Sequence, residues 1–252
     1  MGRIPASHPR RESLEAREEL LRGFRHGLVC ESGLIAQGRG EAFDYLLGEK
    51  TLPFARKAAE AGAAMLLLAE RPVISVNGNL AALCGKEAVG LAEACGATIE
   101  VNLFYRTKGR VEAIKRHLRR LGATEVLGGE KGEASIPELF SERRRVSREG
   151  IYKADVVLLA MEDGDRTRAL RKMGKKVIAI DLNPLSVTAR EADVTVVDNV
   201  KRAVPMLVKE LGRFRGRRES ELARIVSGYD NRQALGGALK CINARLSGLA
   251  RG

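Results

Sequence analysis

The sequence predicts an α/β protein: a Rossmann-like parallel sheet with flanking helices, extended by helical segments at both ends. Short apolar runs rich in β-branched residues recur, among them Val156–Ala160, Val177–Ile180 and Val194–Val197. Each is too short for a helix and is bounded by polar or glycine residues. Helical segments separate the runs, as in Arg166–Met173 closed by Gly174, which makes parallel pairing through right-handed crossovers the default. Polar clusters stand at the carboxyl ends of these runs: Asn77–Asn79, Asn102–Thr107, Glu162–Asp165, Asp181–Asn183 and Asp198–Asn199. In an open parallel sheet that edge is where ligands bind.

In chain order, the prolines of residues 1–10 predict an extended arm. An amphipathic helix follows from Ser13 to about Phe24, with Arg17 and Arg22 on its polar side. Gly38-Arg39-Gly40 reads as a glycine-flanked arginine in a loop leading into a helix over Glu41–Leu47. Glycines allow close backbone approach to a ligand, and an arginine there suits a phosphate. The dinucleotide pattern GxGxxG is not completed, because Phe43 holds the last glycine's place. GEKT at Gly48–Thr51 lacks the glycines of a Walker loop. A helix over Leu52–Leu68, a strand over Pro72–Val76, a turn at Asn77-Gly78-Asn79 and a helix over Leu80–Ala94 come next. Strands at Thr98–Val101 and Thr124–Leu127 flank a basic helix, Arg110–Leu121, and Lys131–Glu149 reads as a solvated loop and helix. After the strands already named, a helix over Arg202–Leu211, a basic linker GRFRGRR (Gly212–Arg218) and a helical tail over Glu219–Leu249 complete the chain. The organisation is one α/β unit over 1–252. Residues 1–50 complete the site, 51–211 form the core, and 212–252 are linker and tail.

The chain has 252 residues, 44% of them hydrophobic and 30% charged, an ordinary soluble globular composition. Its formal charge of +12 points to an anionic partner: nucleic acid, nucleotide or phosphorylated metabolite. Aromatic residues are only 4% and Trp is absent, which argues against a base-stacking platform. Cys30, Cys84, Cys95 and Cys241 include no CxxC pair, and the histidines are His8, His26 and His117. A protein metal site is not expected, and reduced cysteines fit a cytoplasmic protein. With no apolar run of membrane-spanning length, no membrane partner is expected. Asp181 closes a strand where nucleotide folds place an acid on a ribose hydroxyl. No Ser/His/Asp or cysteine-nucleophile context is present, which favours nucleotide-dependent transfer or ligation. The alternative reading is a non-catalytic basic nucleic-acid-binding protein, supported by the net charge and GRFRGRR.

Several runs together resemble the archaeal phosphopantothenate synthetase (4-phosphopantoate–β-alanine ligase) family. They are IPASHPRRESLEARE (Ile4–Glu18), GLIAQGRGEAFDYLLGE (Gly33–Glu49), PVISVNGN (Pro72–Asn79), EVNLFYRT (Glu100–Thr107), EDGDRT (Glu162–Thr167), IDLNPLS (Ile180–Ser186) and VDN (Val197–Asn199). The resemblance implies an ATP-dependent ligase of coenzyme A biosynthesis. It would join (R)-4-phosphopantoate to β-alanine, giving 4'-phosphopantothenate, AMP and pyrophosphate through a pantoyl-adenylate. It also implies a homodimer and Mg²⁺ accompanying ATP, with no nucleic acid bound. The ATP contacts it implies are Arg17, Arg39, Asp181, Leu182, Asn183, Val187, Thr188, Asn199 and Val200.

Two positions depart from the family pattern. Gln37 stands where a histidine is usual, and Val187 where an arginine is common, which leaves position 187 only a backbone contact with phosphate. Within this chemistry Arg106 or Arg10 is expected to meet the substrate phosphate. Asn77 and Asn79 are expected to orient the pantoyl group. Asp163 or His8 is expected to take the proton of the attacking amine.

Overall fold

The computed structural model describes residues 4, 5, 7, 8, 10–131 and 133–251. The extended arm expected over residues 1–10 falls partly outside them. Of what is described, His8 N donates to Pro5 O at 3.1 Å and Arg11 N to His8 O at 3.0 Å, so the chain turns directly into the first helix.

A five-stranded parallel sheet organises the molecule. Its strands are β1 (Pro72–Val76), β2 (Thr98–Val101), β5 (Val156–Ala160), β6 (Lys176–Ile180) and β7 (Val194–Val196), in the order β2-β1-β5-β6-β7. A short hairpin, β3 (Ala134–Ser135) with β4 (Arg145–Val146), is antiparallel. Successive side chains of a strand point to opposite faces. Val156, Leu158 and Ala160 accordingly join the core that contains residues of α3 (Pro53–Leu68), α4 (Gly78–Cys95), α5 (Lys108–Arg120) and α8 (Val200–Phe214). Val157 and Leu159 join a second core with Ala169 and Leu170 of α6 (Gly164–Lys172) and residues of the hairpin segment. Both faces are covered, which is why the strands read as continuous apolar runs. The alanines of α3 are almost wholly buried, and a Cβ at Gly62 would come within 3.3 Å of Ile178 and Leu207. Small residues there let the helix approach the sheet closely.

Five sequence expectations differ from the structure. Lys131–Glu149 is not a solvated loop and helix: it carries the β3–β4 hairpin and buries Ile136, Leu139 and Val146 in the second core, contacts made with residues distant in sequence. The glycine-rich stretch is not a loop: α2 runs unbroken from Glu31 to Leu47, because packing overrides the low helix propensity of Gly33, Gly38 and Gly40. Asn77-Gly78-Asn79 is the start of α4, not a free turn, with the Asn77 side chain accepting from Leu80 N. Thr124–Leu127 makes only an isolated bridge, Glu100 with Leu127, since Gly128 and Gly129 adopt positive φ (118° and 84°) and turn the chain away. Within the expected basic linker, α8 continues to Phe214, which is buried with Arg213 and Arg217 stacked on its ring.

The amphipathic helix α1 (Arg11–Arg25) packs on α4. The tail forms α9 (Glu219–Ser227) and α10 (Asn231–Leu249). Leu235 and Ala238 of α10 share a cluster with Leu47, Leu182 and Val197, so the tail braces the outer end of the sheet and the C-terminal end of α2.

Candidate active site

The strand order reverses direction between β1 and β5. The crossover from β1 through α4 leads one way and that from β5 through α6 the other, which opens a crevice at the carboxyl ends of these strands. A cleft of about 570 Å³ occupies this edge, walled by the five strand ends and by α2. Asn77 sits at the reversal. Its Nδ2 donates to Ala160 O across the divide at 2.7 Å, and its Oδ1 accepts from Leu80 N at 3.0 Å. Asn79 Nδ2 donates to Gly33 O at 2.8 Å, and a Cβ at Gly33 would overlap Asn79 Oδ1. That contact fastens α2 as the cleft's outer wall. Met161, at the end of β5, has φ +50°, an uncommon conformation outside glycine.

The far wall is built on β6 and β7. Asp181 Oδ1 accepts from Asn183 N at 2.9 Å and Oδ2 from Ser186 Oγ at 2.5 Å. Burial pushes the Asp181 carboxyl above its usual range, against the hydrogen bonds from Ser186 and Asn183 and the charge of Arg39. Asn199 caps α8, accepting from Lys201 N at 3.1 Å, and its Nδ2 donates to Asp44 Oδ2 of α2 at 2.9 Å. Arg202 joins Asp44 to Asp198, so an ion-pair bridge locks α2 against the β7 end. The N-termini of α4, α6 and α8 all open on this edge, a disposition that favours anions through their exposed N–H groups and dipoles.

At the centre lies a buried charge cluster. Arg166, wholly buried, donates to Glu162 Oε2 at 2.5 Å and to Ser75 Oγ at 3.1 Å. Arg143 donates to the same Glu162 oxygen at 2.6 Å, and its Nε lies 2.9 Å from Asp163 Oδ2 without hydrogen-bond alignment. Burial, then the Glu162 charge, raises the Asp163 carboxyl, and Arg143 opposes the shift.

Of the residues expected from sequence, the cleft brings together Arg39, Asn77, Asn79, Asp163, Asp181, Leu182, Asn183, Asn199 and Val200. Six others do not line it. Arg17 reaches Glu41 at 3.0 Å and is half exposed. Arg10 donates to Tyr45 Oη at 2.9 Å, and His8 Nδ1 accepts from Arg10 N at 3.1 Å. Arg106 is enclosed by Glu133 and the Arg145 carbonyl. Thr188 Oγ1 donates to Glu162 O at 2.9 Å, a structural tie. Val187 packs so close to Gly164 that a Cβ there would overlap it.

Arg110, Arg143, Ser186 and Asp198 line the cleft without having been singled out. Asp198 belongs to a cluster already read as a polar strand end, and Ser186 closes the IDLNPLS run (Ile180–Ser186) that carries part of the family resemblance. Arg143 arrives from a segment with no periodicity to mark it.

An open parallel sheet with an anion-favouring cleft at its reversal point is the layout of nucleotide-using α/β enzymes. Sequence comparison narrows the class. A family model described as phosphopantothenate/pantothenate synthetase matches residues 54–245, and the chain belongs to that family. It is 51% identical to a 4-phosphopantoate–β-alanine ligase of Thermococcus onnurineus strain NA1 over 252 residues, covering 100% of this chain and 97% of that one. It is 50% identical to proteins of the same name from Thermococcus kodakarensis, covering 99% of this chain and 96% of the relative. For that of Methanosarcina mazei, also 50% identical, the coverage is 99% and 98%.

Proposed function

We propose that the protein joins 4-phosphopantoate to β-alanine at the expense of ATP, releasing AMP and pyrophosphate. The observation that carries this reading is the position of the cleft. It runs without interruption from the Asp181–Asn199 wall to the β1 and β2 ends, so a nucleotide on one side and a small acid on the other meet at the β5 end. A carboxylate is a poor electrophile. Its oxygen attacks the α-phosphorus of ATP, the bond to the β-phosphate breaks, and an acyl-adenylate forms. The β-alanine amine then attacks the acyl carbon and AMP leaves.

Arg39 serves the triphosphate, whose charge a fixed arginine and helix N-termini stabilise best in the transition state. Asp181 serves the ribose, with Asn183 and Asn199 beside the sugar and base, and Leu182 and Val200 lining the same wall. Asn79 orients the pantoyl carboxylate, and Asn77 holds the walls in register. Asp163 takes the ammonium proton, a role its raised carboxyl suits. Mg²⁺ fits as an ion carried on the triphosphate. Among the described residues there is no cluster of His, Cys, Asp or Glu able to cage a metal, and Mg²⁺ on substrate phosphates needs little from the protein. Bound there, it would offset phosphate charge.

In this reading the protein is cytoplasmic and dimeric. No helix of the described residues is long and apolar enough to cross a membrane. Exposed Ile35, Phe104, Tyr105 and Leu185 offer a second copy apolar surface to cover. Elution in size-exclusion chromatography at the monomer mass would sink the dimer.

Purified protein given phosphopantoate, β-alanine and ATP should form AMP and phosphopantothenate. ATP binding without AMP formation would overturn the ligase reading. Arg39→Ala should raise the ATP KM or collapse the rate at least tenfold, and an unchanged enzyme would remove Arg39 from the site. The nucleic-acid alternative has no support from the relatives' names, and several basic residues it would need, including Arg143, Arg166 and Arg202, are committed to buried carboxylates.

A further inference from the structure

Three arginines line the cleft, and they are not equivalent. Arg143 is neutralised by Glu162 and Asp163. Arg39, near Asp181, belongs to the nucleotide wall. Arg110, in the first turn of α5, stands at the opposite end beside the start of α2. Its Nη2 donates to Leu28 O at 3.0 Å and its Nη1 to Tyr105 O, both neutral backbone acceptors. Its Nε is buried without a partner. Among the described residues no carboxylate is paired with it, in contrast to Arg106, four residues earlier, which is held by Glu133. A half-buried guanidinium whose Nε is shut off from water and which meets only carbonyls lacks the counter-charge that normally offsets desolvation. An anionic ligand supplies it.

The surroundings fit a phosphate monoester. Ser32 and Cys30 of the cleft wall lie together, Sγ to Oγ at 3.1 Å. Burial acts to raise the Cys30 thiol, yet hydrogen bonds with Ser32 and Gly33, and after them the Arg110 charge, hold it below its usual range, so that the Arg110 charge reaches this pair. Gly78 is required for this arrangement. A Cβ there would overlap Leu28 O and press on Arg110 Nη2 at 3.1 Å, so the α4 backbone fixes the guanidinium where it stands.

We propose that Arg110, with the Ser32 hydroxyl beside it, binds the phosphate of the acyl substrate and is the residue by which this protein selects a phosphorylated over an unphosphorylated hydroxy acid. The proposal rests on the ligase reading above. It places the two phosphate-bearing substrates at opposite ends of the cleft, on Arg110 and Arg39, so that their reacting ends converge near Asp163.

The test compares wild type, Arg110→Ala and Arg110→Lys. The readout is the ratio of kcat/KM with 4-phosphopantoate to that with unphosphorylated pantoate, measured as AMP release at saturating ATP. Arg110→Ala should reduce this ratio about 100-fold, the scale set by removing a charged hydrogen-bonding partner from a half-buried cleft. Arg110→Lys should recover part of it, because charge survives and the planar fork does not. A general folding or positioning defect lowers both kcat/KM values together and leaves the ratio unchanged, and that result would overturn the proposal. Inorganic phosphate titrated into ATP-free protein gives a readout without turnover. Wild type should bind it at least tenfold more tightly than either variant, and equal binding also overturns the proposal. If wild type releases no AMP with either acid while the difference in phosphate binding stands, the ligase reading fails and the anion site survives.

Discussion

Replacing Asn77 by alanine should destabilise the protein by about 2–4 kcal/mol, because one side chain does two separate jobs at the point where the sheet reverses. Its Oδ1 caps α4 through Leu80 N at 3.0 Å, and loss of such a cap costs about 1 kcal/mol. Its Nδ2 bonds the Ala160 carbonyl at 2.7 Å in a site only 8% exposed. Leaving a buried carbonyl without its donor costs a further ~1–3 kcal/mol. For a chain of this size each kcal/mol shifts Tm by about 2–4 °C, so a fall of roughly 5–15 °C is expected. Urea denaturation should show the midpoint moving with the slope unchanged. Asn77→Asp separates the two jobs, since a carboxylate still caps but cannot donate to Ala160 and is repelled by its carbonyl. It should therefore retain only part of the lost stability. If Asn77→Ala costs less than about 1 kcal/mol, or Asn77→Asp matches wild type, the account of Asn77 as the clasp between β1 and β5 is wrong.

Other perturbations probe separate parts of the structure. Gly33→Ala inserts a methyl where Asn79 Oδ1 stands. It should displace Asn79 from the cleft and lower kcat/KM by about 10²-fold, the scale of a misplacement near 1 Å, and an active variant with wild-type kinetics would contradict the packing. Asp163→Asn should lower kcat about 10²- to 10⁴-fold. In wild type the rate should fall as pH drops through the raised Asp163 carboxyl range, and a retained rate in the variant would eliminate Asp163 as the proton acceptor.

Glu100 gives a pH dependence of stability. It is fully buried, accepts from Ser147 N at 2.9 Å and Ile151 N at 2.6 Å, and burial pushes its carboxyl up to about 7 from 4.5 in spite of those bonds. The folded state therefore holds this proton more tightly than the unfolded chain. Its contribution to stability is greatest below about pH 4.5 and declines by about 3 kcal/mol as pH rises through 7. Glu100→Gln, which cannot titrate, should be less stable throughout but lose that slope, and an identical slope in denaturation experiments at pH 5 and 8 would refute the assignment.

Much of this molecule is determined by sequence alone, and the physical reason is local. Val156–Ala160 can only be a buried strand, and Pro72–Val76 and Thr98–Val101 match the structure residue for residue, because period, β-branching and punctuation are properties of neighbouring residues. The polar strand ends follow from the same pattern, and parallel topology gathers them on one edge, so that Asp181, Asn183, Asn199, Asp163 and both asparagines of β1's end are legible in the sequence as residues that line one cleft. The low helix propensity of the glycines in Gly38-Arg39-Gly40 points to a loop. Contacts with Asn79 and Leu182, distant in sequence, belong instead to a continuous helix.

Only the tertiary structure decided which charges are free to serve a ligand. Arg106 and Arg110 lie four residues apart, one just before α5 and one in its first turn, and look alike in sequence. The first is consumed by Glu133 and Arg145 of the hairpin segment, while the second reaches the cleft with only carbonyls for company. Arg143 is buried against Glu162, whereas its neighbour Arg144 is exposed. Net charge and residue type are fixed by the chain, but ion pairing depends on partners brought from tens of residues away, and no local pattern carries that information.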